Sequence, residues 1–375
     1  MPGKIDASLD EKLQTVQWGE YRIGELFDSE TGDFDIQKKH INDSGEYVIT
    51  SGLTNNGVLG KSNVRAKIFK SNTITVDMFG NVFFRPFKYK IVTHARVFTL
   101  ICKFQINLRQ GLFLVNSFKY LSLKFGYENM CSWAKIQDDI VLLPTKDGNI
   151  DFQFMENFVA ELEARRIAEL EAYLSITGLD NYELTDDERQ ALEKINSSSI
   201  EFVNLPIVDV FDIKNTKCIL AKDVRFVDEG TPYITAGVGN NSVAGYVECD
   251  KKLIDKGNCV FIGGKTFVVT YQAEDFYSND SHNLALYNKR LDLINKMNQL
   301  YFATCIRKSL QHKYSWGDSV SNKKIVNDYI TVPASHGVID YHHMEVLISA
   351  VQKLVIKDVV LYAKSKESLT KRVIK

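Results

Sequence analysis

The segment ITSGLTNNGVLG, Ile49 to Gly60, returns as ITAGVGNNSVAG, Ile234 to Gly245, with seven of twelve positions identical, no gap and an offset of 185. A second pair, PTKDGNIDFQFME (Pro144 to Glu156) and PASHGVIDYHHME (Pro333 to Glu345), keeps six identities of thirteen at an offset of 189. Between these anchors, Ile136, Asp139 and Pro144 match Ile325, Asp328 and Pro333. Chance resemblance of two short strings does not preserve both order and spacing, so the 375-residue chain reads as a tandem duplication. Its length also suits two domains of under about 200 residues better than one.

Working outward from the anchors, each copy starts with a strand-rich body. In the first, AKIFKSNTITVDMFGNVFFR (Ala66 to Arg85) is rich in β-branched and aromatic residues and is broken by Gly80 and Asn81, as in a hairpin. In the second, NCVFIGGKTFVVTY (Asn258 to Tyr271) turns at Gly263 and Gly264. The pairs Asn55, Asn56 and Asn240, Asn241 sit among glycines, where left-handed backbone is tolerated. A short apolar strand ends at Pro144 or Pro333, a Gly turn follows, and a helix begins. Asp151 to Ser175 carries Met155, Phe158, Leu162, Ile167, Leu170 and Leu174; Asp340 to about Ala363 carries Met344, Leu347, Val351, Leu354, Val355 and Val359. Mostly three- and four-residue spacings make each an apolar stripe on a charged helix, and Asp151 and Asp340 stand where a carboxylate caps the first turn. Thr185 to Glu188 is a capping box opening a short helix to about Ile195, and the Ser-rich stretch 196–199 links to the second copy. The fold class is therefore α+β, two pseudo-symmetric mixed α/β domains with long helices, divided as 1–150, 151–199, 200–339 and 340–375.

Composition places the chain among globular proteins: 45% hydrophobic and 25% charged residues, with only six Pro and 22 Gly. The polar N-terminal sequence and the shortness of the apolar runs lead us to expect a soluble, cytoplasmic protein without a membrane span. None of the six cysteines forms a C-x-x-C pair, so reduced thiols are expected rather than a metal site. The net charge of −1 conceals a segregation. Lys61 to Lys103 holds nine basic residues against one acid, whereas Asp151 to Glu201 holds thirteen acids against four basics. Only the distribution bears on partners.

No set of converging catalytic groups can be assembled. There is no Asn/Asp-Pro-Pro-aromatic motif, no G-x-G-x-x-G loop, no H-E-x-x-H and no G-x-S-x-G. GGKT at Gly263 to Thr266 fails as a phosphate-binding loop because the required first glycine falls at Cys259, and it reads as a hairpin turn. His94 and His282 occupy similar places but lack a fixed carboxylate partner in the sequence, which favours a satisfied structural or a DNA-facing histidine over a duplicated acid/base. His336, His342 and His343 have no counterparts in the first copy.

Binding chemistry is richer. Cations of the first copy (Lys61, Arg65, Lys67, Lys70, Arg85, Lys88, Lys90, Arg96) interleave with Phe69, Phe79, Phe83, Phe84, Phe87 and Tyr89. The second copy offers Lys251, Lys252, Lys265 and Lys313. Phosphates require cations, and base edges are read by Arg, Lys, Asn or Gln on loops, for which Asn55, Asn56, Asn240, Asn241, Arg85 and Gln272 are available.

The repeated order of strand-rich body, Pro-ended strand, Gly turn and long helix resembles the specificity subunit of type I restriction–modification systems and its type IIB relatives. The elements that carry the resemblance are TSG-x-x-NNG-x-x-G, ITVDMFGNVFFR, LPTKDGNIDFQFME with its repeat, and EAYLSITGLDNYELTDDE. It implies two target-recognition domains, each reading half of a split site on double-stranded DNA. It also implies two antiparallel helices that act as a coiled-coil-like spacer and recruit DNA methyltransferase subunits. A restriction/translocase subunit is added in type I complexes. On this reading the chain is no enzyme and holds no cofactor or metal; S-adenosylmethionine belongs to the partner methyltransferase. Met155, Phe158, Leu162, Leu170, Met344, Leu347, Val351 and Leu354 are the expected helix-packing and partner residues. A helix of about 25 residues is roughly 37 Å long, close to the 34–36 Å of about one DNA turn. Three alternatives stay open: a type IIB subunit whose partner fuses methyltransferase and nuclease, a stand-alone enzyme with a duplicated domain, and a duplicated protein-interaction scaffold that does not bind DNA.

Overall fold

The computed structural model describes residues 7–373, with side chains over 9–366; the outermost ends of the expected first domain and last helix, 1–6 and 374–375, lie outside the described residues. The chain divides into two compact units, one from the described parts of Met1–Leu170 with Ser365–Lys375, the other Glu171–Lys364.

The first unit opens with α1 (Ala7–Thr15), β1 (Trp18–Arg22) and β2 (Phe27–Thr31), followed by β3 (Glu46–Ile49) and β4 (Val58–Ser62). The expected hairpin is β5 (Thr73–Val76) and β6 (Val82–Arg85), paired antiparallel with Val76 opposite Val82. Then come β7 (Tyr89–Ile91), β8 (Phe98–Cys102), α2 (Leu108–Ser117) and β9 (Ile140–Lys146). One antiparallel sheet runs β2-β8-β5-β6, and another runs β4-β3-β7 with β3 and β7 parallel, Tyr47 opposite Tyr89. β1 pairs with β9, Trp18 opposite Pro144. Ile23, Phe27, Ile74, Leu100, Phe118, Ile136 and Leu143 are fully buried in the main core, and a smaller core forms around Val48, Ile49, Tyr89 and Ile91. α3 (Phe152–Ile176) follows, its first turn capped by Asp151, whose Oδ1 accepts from Phe154 N at 2.8 Å.

The second unit repeats the plan. α4 (Asp186–Asn196) starts at the expected capping box, with Thr185 and Glu188 bonding each other's backbone N–H. β10 (Glu201–Pro206), β11 (Phe211–Asn215), β12 (Thr231–Ile234), β13 (Val243–Glu248), β14 (Cys259–Ile262), β15 (Val269–Gln272), β16 (Tyr277–Ser278), β17 (Leu284–Asn288), α5 (Lys296–Leu310) and β18 (Tyr329–Ser335) complete the body. The sheet β11-β17-β14-β15 matches β2-β8-β5-β6, and β13-β12-β16 matches β4-β3-β7, again with its second pair parallel, Tyr233 opposite Tyr277, and with an added edge strand, Arg225–Val227, beside β13. Both β3 and β12 carry a register shift at the same point, between Val48 and Ile49 and between Tyr233 and Ile234. GGKT lies in the β14–β15 connection, a hairpin turn as read from the sequence.

α6 (Tyr341–Val373) is 33 residues, longer than the helix to about Ala363 read from the sequence, because nothing after Ala363 breaks it. Asp340 Oδ1 accepts from His343 N at 2.9 Å, the counterpart of the Asp151 cap. The apolar stripes correct one expectation. Met155, Phe158 and Leu162 pack into the first unit's own core and Met344 into the second's, and Leu347 is buried, since each helix starts against its sheet body; Leu170 is half-buried. Val351 and Leu354 are exposed and extend an open apolar row with Val355 and Val359. Among the described residues no helix is long and apolar enough to cross a membrane.

Candidate nucleic-acid interface

In each unit three loops meet at one end. The first is the Asn turn between β3 and β4, or between β12 and β13. Asn55, Asn56, Asn240 and Asn241 all have φ near +50°, a left-handed conformation Asn tolerates better than other side-chain residues, and all four are exposed. The second loop is the hairpin tip. Buried Asp77 closes it, Oδ1 accepting from Phe79 N and Asn81 N, each at 2.9 Å, and it ties in the Asn turn through Oδ2, which accepts from Gly52 N at 2.8 Å. In the second unit Thr266 plays this part, donating from Oγ1 to Ala236 O at 2.8 Å.

The third loop is a four-residue turn that sequence reasoning missed. Gly126 and Asn129 exchange two backbone hydrogen bonds, and Ser315 and Asp318 do the same. The turns are hydrogen-bonded to the hairpin tips, Cys131 N to Met78 O at 2.8 Å and Val320 N to Gly264 O at 3.1 Å. A lysine staples each one from the following helical turn: Lys135 Nζ donates to Asn129 Oδ1 and Met130 O, Lys324 Nζ to Asp318 Oδ1 and Ser319 O. Behind them, repeat residues Asp139 and Asp328 accept from Lys124 and Lys313. Each turn presents one aromatic, Tyr127 or Trp316, 76% and 79% exposed. The residues of the two turns and their lysine and aspartate partners match at the 189 offset of the second anchor, so extending that alignment inward would have lined them up.

The expected DNA-contacting residues do not form one face. Arg85 and Gln272 are equivalent, each ending the second strand of its hairpin, and each is buried (2% and 4% exposed). Gln272 Nε2 donates to Asn241 O at 2.9 Å, and Arg85 Nε to Thr75 Oγ1 at 2.8 Å, its guanidinium over Phe83. Burial draws the Arg85 pKa down to about 10. Lys90, 4% exposed, donates from Nζ to Ser62 O and Val64 O. These three underpin loops and cannot reach a ligand as placed.

Lys61 lies over Tyr47, and Lys88 precedes β7, so both sit at the start of the parallel β3–β7 pair, away from the Asn turn. Arg65 is exposed beyond Lys61; Lys67 pairs with Glu30 at 3.2 Å; Lys70 precedes β5, at the end of the hairpin away from its tip. Arg96 is at the convergent end, lining a cleft of about 750 Å3 with Tyr127, Met130 and Lys135. In the second unit Lys265 is at the hairpin tip, whereas Lys251 and Lys252 follow β13 at its other end and Lys313 is held by Asp328. The convergent set is therefore Asn55, Asn56, Arg96 and Tyr127 in one unit, and Asn240, Asn241, Lys265 and Trp316 in the other. His94 and His282 do have carboxylate partners, Asp35 and Asp280, but both rings are exposed and the carboxylates are not equivalent.

The sequence matches the family described as type I restriction modification DNA specificity domain twice, over residues 15–172 and 200–358. The chain belongs to that family. It is 27% identical over 156 residues to a type II restriction enzyme specificity subunit, S.BcgI of Heyndrickxia coagulans, a match spanning 40% of this chain and 45% of that relative. The fold is similar to that of the S subunit of a type I restriction–modification system from M. genitalium, with a TM-score of 0.60 and 14% identity over 96% of this chain and 94% of that one.

Proposed function

We propose that this chain is the non-catalytic specificity subunit of a restriction–modification complex. Each unit reads one half of a bipartite site on double-stranded DNA. The observation that carries the reading is the duplicated convergence of Asn turn, hairpin tip and aromatic turn, with exposed amides and a cation at the same end of each unit. Exposed amides and cations on rigid loops are what base edges and phosphates require. The recognition domains are 1–150 and 200–339, and the helical segments 151–199 and 340–375 form the spacer. At 25 residues, α3 is roughly 37 Å long, about the rise of one DNA turn. The open apolar row Val351, Leu354, Val355 and Val359 is the surface offered to a DNA methyltransferase subunit, which supplies S-adenosylmethionine chemistry in the cytoplasm.

Similarity to a type II restriction enzyme specificity subunit supports a second reading of the partner, the single methyltransferase and nuclease polypeptide that the type IIB resemblance implies. Salt-titrated binding of the full chain to mixed-sequence duplexes tests the DNA assignment. The logarithm of affinity should fall linearly with the logarithm of salt concentration. A flat response would support the scaffold alternative.

A further inference from the structure

We propose that Tyr127 and Trp316 are twin aromatic probes that press against the nucleobases of the two half-sites, one per unit. The inference rests on the DNA-binding reading above and adds a contact of a different kind, apolar and independent of phosphate charge.

Three observations carry it. First, the two rings lie at matching repeat positions, and both are far more exposed than a side chain of that size needs to be on a folded surface. Exposing a large aromatic leaves apolar area in water, a cost that contact with a partner recovers. Second, the turns are built. Paired backbone hydrogen bonds, the bond to the hairpin tip and the Lys135 or Lys324 staple fix each loop before anything binds. A preformed loop loses little freedom on association. In the first unit Phe79 also packs edge-on against Tyr127, ring centroids 4.9 Å apart, and steadies the ring.

Third, the surroundings fit nucleic acid better than protein. Tyr127 shares its cleft with Arg96 and Lys135, and the Trp316 turn is bonded to the tip that carries Lys265. An aromatic anchor for a protein sits at the centre of a desolvated patch; these have cations and exposed amides beside them, with one carboxylate in each turn, Glu128 and the Lys324-bound Asp318. In a duplex the base faces are already stacked on one another, so the ring meets base edges and thymine methyl groups in a groove or wedges between a base step, a role that Tyr and Trp can each fill at different half-sites.

The test uses the full chain with random-sequence 30-base-pair duplexes across a salt series. Tyr127→Ala and Trp316→Ala should each weaken binding by about tenfold through the apolar area no longer buried, with an unchanged salt slope, whereas Tyr127→Phe and Trp316→Phe stay near wild type. Duplex should also shield wild-type fluorescence from acrylamide, an effect that Trp316→Phe reduces to the share of Trp133, which lines the Tyr127 cleft. If wild type binds with salt dependence but both Ala variants bind equally well, the inference is overturned and the DNA reading stands. A changed slope at unchanged mid-salt affinity would likewise overturn it, since it would assign the turns to phosphate contact. So would Ala variants that fail only in methyltransferase assembly. If wild type itself shows no salt-dependent binding, both readings fall.

Discussion

Lys90 and Lys88 are two residues apart in a cationic stretch, yet the structure assigns them opposite consequences. Lys90 Nζ donates to two backbone carbonyls, Ser62 at 3.0 Å and Val64 at 2.5 Å, in a site only 4% exposed. Hydrogen bonds from a charged donor contribute about 1.5–3 kcal/mol each, and water recovers part of that at a partly opened site. Lys90→Ala should therefore cost about 3 kcal/mol, roughly a 150-fold rise in local opening of the β4-β3-β7 sheet. Hydrogen exchange read by mass spectrometry over residues 46–62 and 89–91 measures that opening directly. Lys90→Met keeps the stem and should recover only the packing share. Lys88→Ala, at an exposed position, should leave exchange unchanged. Unaltered protection in Lys90→Ala, together with a loss of duplex affinity matching a surface cation, would refute the buried role.

Three further perturbations follow from named contacts. Asp77→Ala removes the acceptor for Gly52, Phe79 and Asn81, so the Asn turn and hairpin tip should loosen together by about 2–4 kcal/mol, visible as joint loss of exchange protection over 50–57 and 77–81. Gly111→Ala would bring a methyl within 2.3 Å of the Phe84 ring, and overpacking of that kind should lower stability by about 1–3 kcal/mol in denaturant titrations. Burial raises the Glu188 carboxyl's pKa, but bonds from Ser349, Thr185 N and Lys353 outweigh it and leave it lowered. A depressed carboxylate stabilises the fold above its unfolded pKa and loses that contribution as pH falls through the folded value. Protection of α4 should accordingly drop on acidification below about pH 4.5 in wild type and vary less in Glu188→Gln.

Much of the fold was legible because local signals and the repeat agreed. The Asp151 and Asp340 caps, the Thr185 box and the two hairpins each rest on chemistry that acts within a few residues. The site was less legible. Arg85, Lys90 and Gln272 look like surface cations and amides in sequence, but their strands are packed on both faces, and a two-residue period does not mark which polar residue turns inward. The cationic run also folds back, so neighbours such as Lys88 and Arg96 finish at opposite ends of β7. The 189 offset pairs Tyr127 with Trp316 in sequence, but it does not show that both rings are exposed, which is what marks them out in the fold.

The central claim is that two non-identical heads read two halves of one site. Methylome sequencing of cells carrying this chain with its methyltransferase partner tests it most directly, comparing wild type with an Asn240→Ala, Asn241→Ala double variant. A split, asymmetric methylated sequence in which the variant relaxes one half and leaves the other intact is the predicted result. Methylation that is unchanged when the chain is deleted, or that changes equally in both halves, would contradict the account.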